Sequence, residues 1–196
     1  MKNIKSIVVF CASSKGTDAT YQESAYNLGS RLAELNIELI YGGGKVGLMG
    51  AVADGALKKN GKVTGIIPNF MTPHEIAHHG VSELIVVDSM HERKLLMHEK
   101  SDAVITLPGG FGTFEELFEI LTWVQLGLYQ KPVAIINQNG YYDNLKSQIN
   151  HMMDQGLLNK YHGSMLYFAN SITDAFQYFE NFEPVPGIFK LKKDQT

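Results

Sequence analysis

Short, almost continuously apolar runs alternate along the chain with longer stretches in which apolar residues return every three or four positions. The short runs predict strands over residues 6–11, 37–41, 62–67, 83–87, 103–107, 133–136 and 165–169. Three of them, IVVF, LIVV and VAII, have no polar alternation, as expected of strands in a parallel sheet covered on both faces. The longer stretches predict helices over 20–35, 48–59, 90–100, 113–126, 142–155 and 172–182. Thr20 with Glu23, Ser89 with Glu92 and Thr113 with Glu116 have the spacing of capping boxes. Residues 68–80 hold two prolines and no sustained period, so a loop with at most one helical turn is expected there. Strict alternation of strand and helix predicts one α/β domain over residues 1–185, a Rossmann-like doubly wound fold with a mostly parallel sheet of about seven strands. Residues 186–196 read as a C-terminal tail. Ligands of such sheets sit at the carboxyl ends of the strands, near the point where the strand order reverses.

Composition narrows the function classes. The 196 residues suffice for one well-packed domain, and 44% hydrophobic with 19% charged residues is ordinary for a globular protein. A net charge of −3 argues against nucleic acid as a partner. The basic clusters Lys58, Lys59, Lys62 and Lys190, Lys192, Lys193 read as solvated surface. No run approaches the ~18 apolar residues of a membrane span, so no membrane partner is expected. The N-terminus reads as a strand rather than a signal peptide. The single cysteine, Cys11, fits a reducing, cytoplasmic setting.

Two glycine clusters each follow a strand and lead into a helix: residues 41–50, YGGGKVGLMG, and 107–113, LPGGFGT. Glycine there either makes a tight turn or lets a ligand approach the backbone closely. The free N–H groups of a helix start suit an anion, with phosphate the natural guest. Thr113 can add a hydroxyl donor. This makes Gly43, Gly44, Gly109, Gly110 and Gly112 candidate binding residues, with Ser13 in the loop after the first strand. A dinucleotide fingerprint is matched at Gly42, Gly44 and Gly47. It follows the second strand, however, and Lys62 stands where a ribose-binding acid is needed. The phosphate loop of nucleotide triphosphatases is missing its lysine, because Leu48 follows Gly47.

Three further features carry chemistry. His74-Glu75-Ile76-Ala77-His78 matches HExxH, but Pro73 and Gly80 bracket a segment of only a turn or two, and no third ligand stands downstream. A surface loop, or a polar contact from Glu75 to a ligand, competes with zinc. Arg93 and Lys94 lie near the start of a helix, where the dipole disfavours cations. Either a ligand anion or carboxylate faces them, or they are simply exposed. Glu116 lies off the apolar stripe of Phe114, Leu117, Phe118, Leu121 and Val124, so it need not be buried. It is either the capping partner of Thr113 or a carboxylate beside the phosphate site.

The segments DSMHERK at 88–94 and PGGFGTFEE at 108–116, with FCASS at 10–14 and YGGGKVGLMG at 41–50, resemble the LONELY GUY family. These are cytokinin riboside 5′-monophosphate phosphoribohydrolases, often labelled lysine decarboxylases. The resemblance spans nearly the whole chain, and every fixed position of PGGxGTxxE is met. It implies a Rossmann-like homodimer without cofactor or metal that hydrolyses purine nucleoside 5′-monophosphates to base and ribose 5-phosphate. It implies Arg93 and Glu116 as catalytic residues, and substrate contacts at Glu75, Arg93, Lys94, Gly110, Phe111, Gly112, Thr113, Phe114, Glu115, Glu116 and Thr122. A non-catalytic nucleotide carrier on the same fold is the competing reading. A true lysine decarboxylase would need a Schiff-base lysine, for which Lys45 and Lys94 are the nearest candidates.

Overall fold

The computed structural model describes residues 4–74, 77–184 and 186–188. Seven parallel strands form one sheet: β1 (Ser6–Phe10), β2 (Glu38–Tyr41), β3 (Val63–Pro68), β4 (Glu83–Val87), β5 (Ala103–Thr106), β6 (Val133–Ile136) and β7 (Leu166–Ala169). Their order is β4-β3-β2-β1-β5-β6-β7. The chain winds outward from β1 in one direction, then returns to start again with β5 on its other side. The register sets Val8 beside Ile40 of β2 and Val104 of β5. The predicted single α/β sheet is the observed one.

The helices are α1 (Ala19–Glu34), α2 (Gly47–Lys58), α3 (Met90–Glu99), α4 (Phe111–Leu126), α5 (Asp143–Asp154), the short α6 (Lys160–Gly163) and α7 (Ile172–Glu180). Alternation along the strands divides the core between two faces. Ile7, Val9, Leu39, Ile105 and Ile136 pack with Leu28 and Leu32 of α1, Val52 and Ala56 of α2, and Phe176 of α7. Val8, Phe10, Ile40, Val104 and Ile135 pack with Met97 of α3, Leu117 and Ile120 of α4, and Ile149 of α5. Unbroken apolar runs were therefore the right sign for the inner strands. They misled for β4, which forms an edge and leaves Val86 half exposed.

Helix starts depart from the expected capping boxes in two of three cases. At α3 Ser89 Oγ accepts from the Glu92 N–H as expected, while the Glu92 carboxylate reaches one residue past the cap and accepts from the Asp88 N–H. At α1 the cap is Asp18, whose carboxylate accepts from the Thr20 N–H. At α4 the cap is Gly110, which has no side chain to offer, and the helix begins two residues before the expected start. Residues 69–74 form a 3₁₀ helix of six residues, about two turns where at most one was expected. The short α6 was not foreseen. Residues 186–188, expected to be tail, include Ile188, whose N–H donates to the carbonyl of Gln125.

Helices α1 and α2 cross in near backbone contact. A Cβ at Gly29 would lie 1.9 Å from the Val52 carbonyl oxygen, and one at Gly55 2.0 Å from that of Tyr26. Neither neighbour is a side chain that can rotate away. Gly29→Ala is therefore expected to cost about 2 kcal/mol or more, lowering Tm by about 5 °C in thermal unfolding.

Candidate active site

The cleft lies where the strand order reverses, between the ends of β1 and β5, as the topology requires. It has a volume of about 320 Å³ and is lined by Cys11 to Ser14 after β1, Met49, Met71, Arg93, residues 110–113 and Glu116.

One wall is the start of α4. The loop before it is fixed from behind. The Tyr142 hydroxyl donates to the Leu107 carbonyl, the Ala12 N–H to Pro108 and the Tyr141 hydroxyl to Gly109, at 2.8, 3.1 and 2.8 Å. With those carbonyls held, the first turn of α4 has no side-chain cap for its N–H groups. Thr113 is buried over Gly109, where a Cβ would stand 2.0 Å from its Oγ1. Gly110 and Gly112 differ from Gly109: a Cβ on either would meet nothing within 4 Å, and neither has positive φ. Neither backbone conformation nor packing asks for glycine at these two positions. What their missing side chains leave is open approach to the helix start. Phe111, at the same turn, is almost wholly exposed at the cleft mouth.

The other glycine cluster plays a different part. The N–H groups of Leu48 and Met49, at the start of α2, donate to the carbonyls of Ala12 and Ser14. That helix start is occupied by the chain itself and is not a second anion site. Gly42 makes room for Arg93, since a Cβ there would lie 2.2 Å from Nη2. Gly43, at φ +74, passes Gly65 and accepts from the His78 N–H, and Gly44 bridges to Ala77. Neither Gly43 nor Gly44 is among the residues lining this cleft, whereas Ser13 is.

The floor is the Arg93–Glu116 pair, both buried. Arg93 Nη1 donates to Glu116 Oε1 at 3.1 Å, Nε to the Ile66 carbonyl at 3.0 Å and Nη2 to the Gly42 carbonyl at 3.3 Å. Glu116 therefore reaches across to α3 instead of capping its own helix, and it is buried rather than off the core as the stripe suggested. The buried face of α4 runs through Thr113, Glu116, Leu117, Ile120 and Val124, leaving Phe118 exposed. Burial pushes the Glu116 carboxyl up to about 7, against the lowering influence of Arg93. Burial also pushes the Cys11 thiol far up, so it stands neutral in the wall.

Other expected contacts fall elsewhere. Lys94 is buried, with its ammonium on Glu115 and, at 2.9 Å, on Glu119. It is not exposed surface, and it does not line the cleft. Phe114, half-buried against the core, stacks on the exposed Phe118 and meets the buried Tyr142 edge-on. Thr122 donates to the Phe118 carbonyl and lines a separate, largely apolar cavity of about 260 Å³ with Leu121, Ile149 and Leu158. Glu75 lies outside the described residues. In the HExxH segment, His78 turns its ring to Asp54 and to the Gly80 N–H, at 3.1 and 3.2 Å. Sequence reasoning missed Met49, Met71, Tyr141 and Tyr142. Only the position of the two tyrosines after a strand end offered any signal.

The family model described as "Possible lysine decarboxylase" matches residues 49–179. Cytokinin riboside 5′-monophosphate phosphoribohydrolase LOG2 of Arabidopsis thaliana is 42% identical over 186 residues, 95% of this chain and 87% of that protein. The enzyme of the same name from Rhodococcoides fascians is 48% identical over 155 residues, 79% and 78% of the two chains. The chain belongs to the LONELY GUY family. Among solved structures, the molybdenum cofactor binding protein of Rippkaea orientalis superposes with a TM-score of 0.69 at 25% identity, covering 92% of this chain and 98% of that one. The Moco carrier protein of Chlamydomonas reinhardtii gives 0.67 at 21%, covering 91% and 96%, a likeness of fold. Neither of the two lysines proposed for a Schiff base stands free in the cleft. Lys45 is exposed outside the cleft lining, and Lys94 is held by two carboxylates.

Because Gly112 is glycine without a packing reason, Gly112→Ala is expected to keep the parent's Tm within about 1 °C while weakening AMP binding at least about tenfold by calorimetry. Gly109→Ala, by contrast, displaces Thr113 and lowers both.

Proposed function

We propose that this protein hydrolyses the N-glycosidic bond of purine nucleoside 5′-monophosphates, N6-modified cytokinin nucleotides and AMP among them, giving free base and ribose 5-phosphate. The observation that carries this reading is a buried carboxylate, Glu116, set beside Arg93 on the floor of a cleft whose wall is an uncapped helix start flanked by two open glycines. The 40–48% identity to named phosphoribohydrolases supports it.

The 5′-phosphate docks on the N–H groups at the start of α4, where the dipole and free donors favour an anion. Glu116 lies five residues into the helix, ~7 Å along its axis, within reach of the sugar of a nucleotide anchored there. Rupture of the C1′–N bond leaves positive charge on the ribose and negative charge on the base. The ionised Glu116 carboxylate stabilises the sugar cation and orients the water that attacks C1′. That water supplies the hydroxyl to C1′ and its proton to the departing base. Arg93 holds the carboxylate in place and offsets negative charge on the substrate. Contacts to the distant phosphate assist the chemical step, since binding energy there holds the sugar against Glu116.

A carrier role, by analogy with the molybdenum cofactor proteins, rests on a fold shared at 25% identity or less and gives the Arg93–Glu116 pair no task. We also place the protein in the cytoplasm as a homodimer, without nucleic-acid or membrane partners. Exposed Phe111, Phe118 and Leu95 on α3 and α4 support an interface there, and among the described residues no helix is long and apolar enough to cross a membrane.

Chromatography of reaction mixtures should show AMP or N6-alkylated AMP cleaved at least about 100-fold faster than the matching nucleoside. Arg93→Ala and Glu116→Ala should each lose about 100-fold or more in kcat/KM. Equal rates on nucleotide and nucleoside would remove the phosphate clamp. Activity should also rise with pH through about 7, because Glu116 acts ionised and holds its proton below that point. Light scattering at micromolar concentration should return twice the chain mass.

A further inference from the structure

Helix α3 carries Arg93 yet has little apolar surface with which to hold it in place. Its buried side chains are Arg93, Lys94, Met97 and His98, and only Met97 is a hydrophobic residue. The other three all reach toward α4. Arg93 meets Glu116 at 3.1 Å. Lys94, the next residue, is shared by Glu115 and Glu119, the latter at 2.9 Å. His98, one turn on, sets Nε2 3.8 Å from the other oxygen of Glu119 and packs edge-on against Trp123 at 4.9 Å. Glu115 and Glu119 are one turn apart on α4, and Glu116 lies between them in sequence. The seam between the two helices is thus fastened largely by charge, with two cations set against three carboxylates.

We propose that Lys94 and Glu119 are positioning residues: together they form a charge clamp, its ammonium buried and its carboxylate half-buried, that docks α3 on α4 and so sets Arg93 against Glu116. The inference rests on Glu116 being the working carboxylate, and it assigns Lys94 to α4 rather than to the substrate. Two consequences follow from the geometry. The first is mechanical. The Lys94 ammonium, 8% exposed with carboxylates from two successive turns of α4 around it, fixes the separation of the helices one residue away from Arg93. With Lys94 lost, the carboxylates of Glu115, Glu116 and Glu119 face one another on α4 with only Arg93 to offset them, so the seam loosens. The second is electrostatic. The ionisable groups facing Glu116 are Arg93 and Lys94 from α3, Glu115 and Glu119 from its own helix, and Cys11 after β1. Cys11 stays neutral. After burial itself, Arg93 and Lys94 favour the Glu116 carboxylate, whereas Glu115 and Glu119 oppose it. Removing Glu119 and removing Lys94 must therefore move Glu116 in opposite directions.

The test is the pH profile of kcat/KM on AMP for wild type, Glu119→Gln and Lys94→Gln, with Tm recorded for each. Glu119→Gln keeps the shape and removes only the charge, so it is expected to fold. Its acid limb should move down by about half a pH unit or more, and that of Lys94→Gln up by a similar amount, with kcat falling about tenfold in the latter and KM changing less than about threefold. A merely structural role would lower Tm without opposite displacements of the limb. Limbs that do not move, or a Lys94→Gln variant whose KM rises about tenfold at unchanged kcat, would overturn the clamp; the second result would make Lys94 a substrate ligand. If wild type releases no base from any nucleotide, the hydrolase reading fails by itself. The clamp is then decided by carboxyl-carbon NMR titration of Glu116 in the same three proteins, where the opposite shifts are still expected and a common value sinks it.

Discussion

The arrangement depends on one buried contact, the guanidinium of Arg93 against the carboxylate of Glu116. Burying such a pair costs several kcal/mol per ion in lost hydration, and attraction repays this only when the remaining hydrogen-bonding capacity is also met. Arg93 meets it with the carbonyls of Ile66 and Gly42, from the ends of two neighbouring strands. Glu116 takes its hydrogen bond from Arg93, and burial holds its carboxyl near 7 despite the cation beside it. A structural ion pair gains nothing from that compromise. A carboxylate that must face a transient positive charge does, because poor hydration strengthens its interaction with a sugar cation.

Much of the surrounding sequence serves this contact. Gly42 is small because Nη2 occupies the space of its Cβ. The start of α2 is sealed by the carbonyls of Ala12 and Ser14, which steadies the loop forming the opposite wall. The start of α4 is treated in the reverse way. Its preceding carbonyls are drawn back by Tyr141, Tyr142 and Ala12, its cap is a glycine, and Gly110 and Gly112 keep its approach clear. Two glycine-rich loops of similar appearance thus divide the work: one makes space for a side chain of the protein, the other for an anion from outside.

The chain shares its fold with molybdenum cofactor carriers. The reversal point of a doubly wound sheet offers a cleft to any ligand with an anionic group. Here the floor of that cleft is a cation and a carboxylate. Function is set by these few groups more than by the scaffold.

The sequence by itself determined the sheet, its strands and the place of the cleft, because strand runs, helical periods and the rule of strand reversal are local or topological. It also marked Arg93, Glu116 and the loop at 108–113, through motif and resemblance. It left open whether Glu116 capped a helix or faced a ligand, and whether Arg93 and Lys94 were solvated. Those questions turn on contacts between residues more than twenty positions apart in the chain, which no local pattern encodes. The tertiary structure decided them: Glu116 and Arg93 meet in the cleft, Lys94 turns to α4, Thr122 lies over another cavity, and the first glycine loop encloses the arginine. The reason is desolvation. A charged side chain at either position satisfies the local pattern, and only the packing of α3 on α4 determines which partner it finds once water is gone.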